Sequence, residues 1–500
     1  VVLATATGNL ALSPTGAATA ANPLPGLRAT LQSYMSSANR AAIIARLNRS
    51  DTPGFSLRPG IEIRTPGDIT VAAATDFAAG LVAGDTGSSF QWRYGGDTLA
   101  ASDPGALTLR AGGNVNVNQI LSDGVTGQAG PAAFTLRPFA AGDSWRFQLT
   151  GGADLFAASA AATAAPVAGR GNVAIGAAGA VRTGTGRIDI AAANDITLAA
   201  QSSVVFSAGV ASVAGPEFTN PQVALLNPPP QFTRDGGSVS LSAGRDISAT
   251  GGSNQLVNEW LWRVGGSDTP AAWWSNVARF AQGVGALGGG DLSLHAGRDI
   301  NRVGASVPTN AFVAADGTLS ERNGGRLEVV AGNRVGGGTY YAQRGAFHVR
   351  AGEVVGSTAA DQLRVAHGGN EVDIQADRDL RVVAAFNPTW AAAANAQLVG
   401  GGTPVNPRNV AFSTFGPASA LMLRSLNGEV SFGGSLGSAL GPALSSNPSD
   451  RRPFNIVAPN VDLVSFGGDV SIEGALLMYP DARGQLRILA DRDIGGQGAI

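Results

Sequence analysis

The stretch GSVSLSAGRDI, residues 237–247, carries the folding rule of the chain. Val239 and Leu241 alternate with Ser238, Ser240 and Ser242, which gives a strand one apolar and one polar face. Ala243 is small enough for a crowded inward corner. Gly244 suits a turn of positive φ, Asp246 is placed to hydrogen-bond local backbone, and Ile247 brings the chain back to the apolar side. The unit is strand, corner, strand.

The same unit recurs along the chain. GDLSLHAGRDI occupies 290–300 and GQLRILADRDI occupies 484–494. Close relatives start at Gly186, Gly325, Gly345 and Asn370, and weaker ones at Gly67, Gly105, Gly171, Gly428 and Gly468. Spacings of 15 residues (Gly171 to Gly186), 16 (Gly468 to Gly484) and 20 (Gly325 to Gly345) suit one turn of a parallel solenoid. Larger steps, 51 and 53 residues on either side of Gly237, require insertions that leave the body and return. The expected fold is all-β: a right-handed parallel β-helix with loop and short helical insertions, one continuous segment over 1–500. Val239, Leu241, Leu292, Leu294, Leu327, Val329, Val372, Ile374, Leu486 and Ile488 should point inward. Roughly 15 coils at about 4.8 Å each would make a body about 70 Å long.

Four insertions stand out. Leu27, Leu31, Tyr34, Met35, Ala38, Ala42 and Leu47 fall near helical spacing, so a helix is expected from about 27 to 48 within an insertion over 26–53. Segments 216–234 and 387–410, rich in Pro and Gly, read as loops. The fourth, 251–289, holds four of the seven tryptophans. Trp273, Trp274, Val277, Phe280 and Val284 suggest a helical stripe there. Large aromatics left in water are costly, so Trp260, Trp262, Trp273, Trp274 and Phe280 should either pack on the flank of the solenoid or meet a partner.

Composition narrows the function. Seventy Gly with only 14% charged residues is unlike a typical globular enzyme, while 44% hydrophobic residues argues against disorder. A net charge of -2 gives no electrostatic reason to expect nucleic acid or an anionic membrane as partner. Cysteine is absent, which excludes disulfides and thiolate metal sites. No apolar run is long enough for a membrane helix. The alternating start and the stop just after a repeat give both ends the look of cuts from a longer chain.

The repeated GGxVxLxAGRDI-like unit resembles the large exoproteins of two-partner secretion, the filamentous haemagglutinin family. So do SLRPGIEI (56–63), WWSNVARFAQGVGALGGGDL (273–292) and NVDLVSFGGDVSIEGALLMYPDARGQLRILADRDI (460–494). The resemblance implies export through a dedicated outer-membrane transporter, a place outside the bacterial cell or on its surface, and a role in adhesion or surface presentation. Its partners would be that transporter and a surface receptor, glycan or neighbouring copy. The family's N-terminal secretion domain and the Arg-Gly-Asp tripeptide of some adhesive members are not found in these residues. Two alternatives remain open: the stalk of a toxin-delivery or haem-acquisition exoprotein, and a β-helical carbohydrate-active enzyme.

Chemical motifs are sparse. Gly283, Gly285 and Gly288 spell GxGxxG, but strand-like sequence follows where a nucleotide loop needs a helix. Gly433, Ser435 and Gly437 spell GxSxG, also with no helix after it. All 34 basic residues are Arg, and a Walker A loop requires Lys. His295 and His348 fall at outward positions of the repeat, and His367 has no metal-ligand spacing to either. The acid pairs Asp377/Asp379 and Asp491/Asp493 recur at the repeat's turn, so turn capping is expected of them. Glu321, Arg322, Arg326 and Glu328 read as a solvated charge run. The sequence therefore leads to no enzyme, no catalytic residue, no metal and no cofactor.

Overall fold

Alternating side chains let a strand bury one face while its backbone pairs on both edges, and this chain repeats that pattern in two ladders and buries both faces of a third. The structure is a computed structural model. It describes residues 1–49, 55, 57–77, 92–94, 102–127, 136–212, 230–250, 256–264, 271–281, 283–314, 316–355, 363–390, 412–433, 456–474 and 476–497. Among these the fold is all-β and mostly parallel.

The first ladder takes one strand from each of thirteen passes of the chain. It begins at Val2–Thr5, runs through Val239–Ala243 and Leu292–Ala296, and ends at Gln485–Ala490, with every pairing parallel. The second runs beside it from Leu10–Leu12 to Ile494–Gln497. Leu327–Gly336 and Phe347–Val354 serve both, so the two ladders form one 24-stranded sheet. The third is a separate nine-stranded parallel sheet from Thr75–Asp76 to Ala384–Phe386. Thirteen passes span about 60 Å along the stack, fewer and shorter than the spacing of the repeats suggested, because the insertions absorb more of the chain.

Register is kept from pass to pass. Val239 lies between Ile188 and Leu292, and the column continues through Leu327, Phe347 and Val372. The eight expected core residues from Val239 to Ile374 are all at most 1% exposed, each contributing about 1.5–3 kcal/mol on burial. Leu486 keeps its place beside Val461 but is 36% exposed, since no described pass covers the last strand. Ile488 is partly buried against the same core.

Two roles at the corner differ from those expected. Asp246 does not bond local backbone: its Oδ1 accepts the amide of Asp299, 53 residues on, at the same corner of the next pass. The arrangement forms a chain in which Asn9, Asp68, Asn114, Asn172, Asp195 and Asp246 each accept the amide of the equivalent residue one pass later. Asp379 does the same for Glu429, and Asp469 for Asp493. Corner amides cannot join a ladder and must find another acceptor, and the neighbouring pass brings one within reach. Gly244 and Gly297 also lack the positive φ of a turn glycine. They are needed for close stacking instead, because a Cβ on Gly297 would run into the Gly244 carbonyl oxygen, and one on Gly244 into that of Ala193.

The insertions hold further corrections. The single helix expected over 27–48 is two, Leu24–Tyr34 and Ser37–Arg46, separated where Ser36 turns to an extended conformation (ψ 153°). The first buries Leu24, Leu27 and Leu31; the second buries nothing. The Trp-rich insertion is not a helical flap. Its only helix among the described residues is the single turn Val257–Trp260, followed by an antiparallel hairpin of Leu261–Val264 with Ala272–Ser275. Adjacent aromatics fit a strand covered on both faces better than a one-sided helix. Of the loop expected over 216–234, Phe232–Arg234 is a strand paired with Val210–Ser212, and 216–229 lies outside the described residues. Most of the 387–410 loop and Ser435 of the GxSxG motif also lie outside them.

Candidate interaction site

The third ladder is apolar on both faces. Tyr340 points into the central core and Tyr341 outward, Val205 inward and Phe206 outward. An outward apolar row must be covered, and insertions from several passes converge to cover it. Leu261–Val264, Ala272–Ser275, Thr309–Val313 and Leu319–Asn323 join as a four-stranded antiparallel sheet, built from the insertions 250–283 and 308–326.

The inner face of this lateral sheet meets the ladder. Trp260, Trp273 and Phe280 cluster with Phe206, Tyr341, Ala366, Ala384 and Phe386. The Trp260 ring stands edge-on to Phe280 at 5.2 Å and 6.0 Å from Tyr341, while Trp273 packs on Phe412 at 5.4 Å. Trp273 Nε1 donates to Thr309 Oγ1 at 3.1 Å, and Thr309 donates to Glu321 Oε1 at 2.7 Å. Every polar atom in that line has a partner, as a buried aromatic with an N–H demands.

The outer face carries a second cluster. Trp262 and Trp274 pair across the hairpin with rings 6.5 Å apart, Phe232 contacts Trp274 at 5.9 Å and Phe312 at 5.4 Å, and the Arg322 guanidinium lies 4.9 Å from the Phe312 ring. The other insertions lock on here. Asn310 and Asn323 both donate to the Thr233 carbonyl, at 2.6 and 2.8 Å, and the fully buried Arg263 donates to that of Pro388 at 2.7 Å.

All five aromatic residues singled out in the sequence are therefore brought to one module, and all are buried: Trp260 0%, Trp262 2%, Trp273 1%, Trp274 2%, Phe280 5% exposed. Three sit on the inner face or its approach and two on the outer. The sequence missed Phe232, Phe312, Phe412, Tyr341 and Arg263. The signal available for Tyr341 was the adjacent aromatic pair Tyr340–Tyr341, which puts a large ring on each face of the strand. Glu321 is not part of a solvated run. Burial beneath the sheet raises its carboxyl above the ordinary range, against the hydrogen bond from Thr309 and the charge of Arg344, 3.7 Å away. The Tyr341 phenol is pushed well up, first by burial and then by the Glu321 charge.

The histidines divide. His295 and His348 face outward on the first ladder, His348 lying 3.9 Å from Asp373. His367 is fully buried at the end of Leu363–His367, its ring 5.0 Å from Phe415, and burial holds its pKa down to about 4. Among the described residues no three His, Asp or Glu side chains come together as a metal site, and no helix is long and apolar enough to cross a membrane. No protein family, no curated protein and no solved structure matches the chain.

Proposed function

We propose that the three ladders wind as a right-handed parallel β-helix, and that the chain is a structural and adhesive segment of a secreted bacterial surface exoprotein of the filamentous haemagglutinin kind. The observation that carries this reading is the combination of thirteen in-register passes with one lateral module assembled from separate insertions. A stiff stack with no metal-type cluster of acids and histidines among its described residues suits display, and a module fixed to its flank suits contact with a partner. Right-handed winding follows the general preference of parallel crossovers. In this reading the chain is no enzyme and needs no cofactor; it leaves the cell through an outer-membrane transporter and meets a surface receptor or glycan.

Because the tryptophans are buried, the partner would meet the rim of the module, where the edge strand Leu319–Asn323 carries Leu319 at 53% exposure. The test is binding of the purified chain to host cells, with Leu319→Asp as the variant. Saturable binding that Leu319→Asp abolishes at unchanged melting temperature is expected. A chain that binds no cell surface would sink the adhesive reading in favour of a stalk, and a particle lacking a rod about 60 Å long in electron microscopy would sink the β-helix.

A further inference from the structure

A groove of about 650 Å³ opens beside the start of the first ladder, across the passes that carry Gly60, Ala106, Arg146 and Arg187. These four positions form one outward column. Gly60 and Ala106 leave the floor low, whereas Arg146 and Arg187 raise a cationic wall on the next two passes. Ser144 and Thr185 hydroxyls line the groove, with Asp143 and Asp235 at its margin.

The cations are not equivalent. Arginines on this ladder pair with an acid two residues away, as Arg64 does with Glu62 at 2.6 Å and Arg187 with Asp189 at 2.7 Å, or with one on a neighbouring pass, as Arg110 does with Glu62 and Arg487 with Asp462. Arg58 is likewise paired, with Asp143. At the corresponding place Arg146 has the neutral Gln148. Among the described residues the Arg146 side chain makes no ion pair or hydrogen bond. One unpaired guanidinium, with the geometry to grip a carboxylate in two parallel bonds, thus faces an open groove edged by hydroxyl and carboxylate acceptors.

We propose that this groove binds a uronic-acid sugar, with Arg146 holding the carboxylate and Ser144, Thr185, Asp143 and Asp235 taking the ring hydroxyls. A ligand with one negative charge and several hydroxyl donors fits this set. The groove is separate from the lateral module, so the inference stands without the adhesive reading.

Galacturonate, trigalacturonate and galactose are the probes, titrated by calorimetry or ligand-observed NMR into the full chain, its Arg146→Gln variant and an Arg326→Gln control. Arg326 occupies the same kind of outward position on a later pass, beside Asp291. The expected result is binding of galacturonate but not galactose, weakened about tenfold or more by Arg146→Gln and unchanged by Arg326→Gln. Tighter binding of the trimer would identify a polymer strand as the ligand, and equal binding the free sugar; both support the site. Absence of saturable binding, equal affinity for galactose, or an Arg146→Gln variant that binds as wild type would overturn it.

Discussion

Arg298 reaches back 52 residues to pair with both carboxylate oxygens of Asp246, its Nε lying 2.8 Å from Oδ1. Arg245 grips Asp195 in the same way one pass earlier. The GRD tripeptide of the repeat is thus half of an interaction whose other half lies in the previous copy. Each Asp serves two partners one pass on, the arginine side chain and a backbone amide.

Removing that carboxylate should therefore cost more than removing its charge. Asp246→Ala strands the Asp299 amide and is expected to lower stability by about 1–3 kcal/mol, whereas Asp246→Asn keeps an acceptor and should lose under about 1 kcal/mol. Urea denaturation of the two variants checks this, and equal losses would argue against the amide contact. Asp195 adds a pH signature. Its carboxyl is held below the ordinary aspartate value of 3.8, chiefly by the Arg245 hydrogen bond. A lowered folded pKa means its contribution is present above that ordinary value and fades as pH falls through the folded one, so Arg245→Gln should flatten the acid limb of the stability curve.

Gly297 should be intolerant for reasons of space alone. Gly297→Ala pushes a methyl group into the Gly244 carbonyl on the neighbouring pass and is expected to cost about 1–3 kcal/mol. Gly495 offers the control, since nothing lies within 4 Å of its missing Cβ. Gly495→Ala should be neutral or slightly stabilising in the same melting experiment.

His367 makes acid sensitivity measurable. Its folded pKa of about 4 lies below the ordinary 6.5, through burial. Between those values the unfolded chain takes up a proton that the folded chain refuses, so stability falls as pH drops from 6.5 towards 4, by about 3 kcal/mol in all, and is unaffected above 6.5. Thermal melts of wild type and His367→Gln across this window should converge at low pH. Parallel curves would show that the imidazole is not responsible.

Trp273 and Phe412 come from insertions 139 positions apart in the chain and meet at 5.4 Å. Trp273→Ala is expected to cost about 3–5 kcal/mol, and a double-mutant cycle with Phe412→Ala should show coupling of about 0.5–1.5 kcal/mol. Additive losses would mean that the two insertions do not support each other.

How much of this could be read from residues alone follows the range of each interaction. The first ladder was legible because Val239, Leu241, Leu292 and Leu294 announce their faces within five residues. The strand–corner–strand order was legible for the same reason. What Asp246 and Gly244 do was not, since their partners lie on other passes and local chemistry offers turn capping as an equally good account. The tryptophan insertion stands out in the sequence by its aromatics, but its type is not legible there, because Trp273, Trp274, Val277 and Phe280 fit a helical face as well as a two-sided strand. Its register depends on Leu261–Val264 and Ala311, contacts no local period encodes. Arg146 carried no signal of its own; only the stacking of its column over Gly60 and Ala106 sets it apart.

The lateral sheet also changes how the stack resists being pulled apart. Ladder hydrogen bonds run along the stacking axis, so a tug on either end strips passes one at a time, each yielding at the force that breaks a single layer. The Asn310 and Asn323 bonds to Thr233 and the Arg263 bond to Pro388 tie layers that are not neighbours. Stripping that reaches them must break several layers together. The middle of the body then behaves as a rivet, and unravelling begun at an end halts there until a larger load arrives.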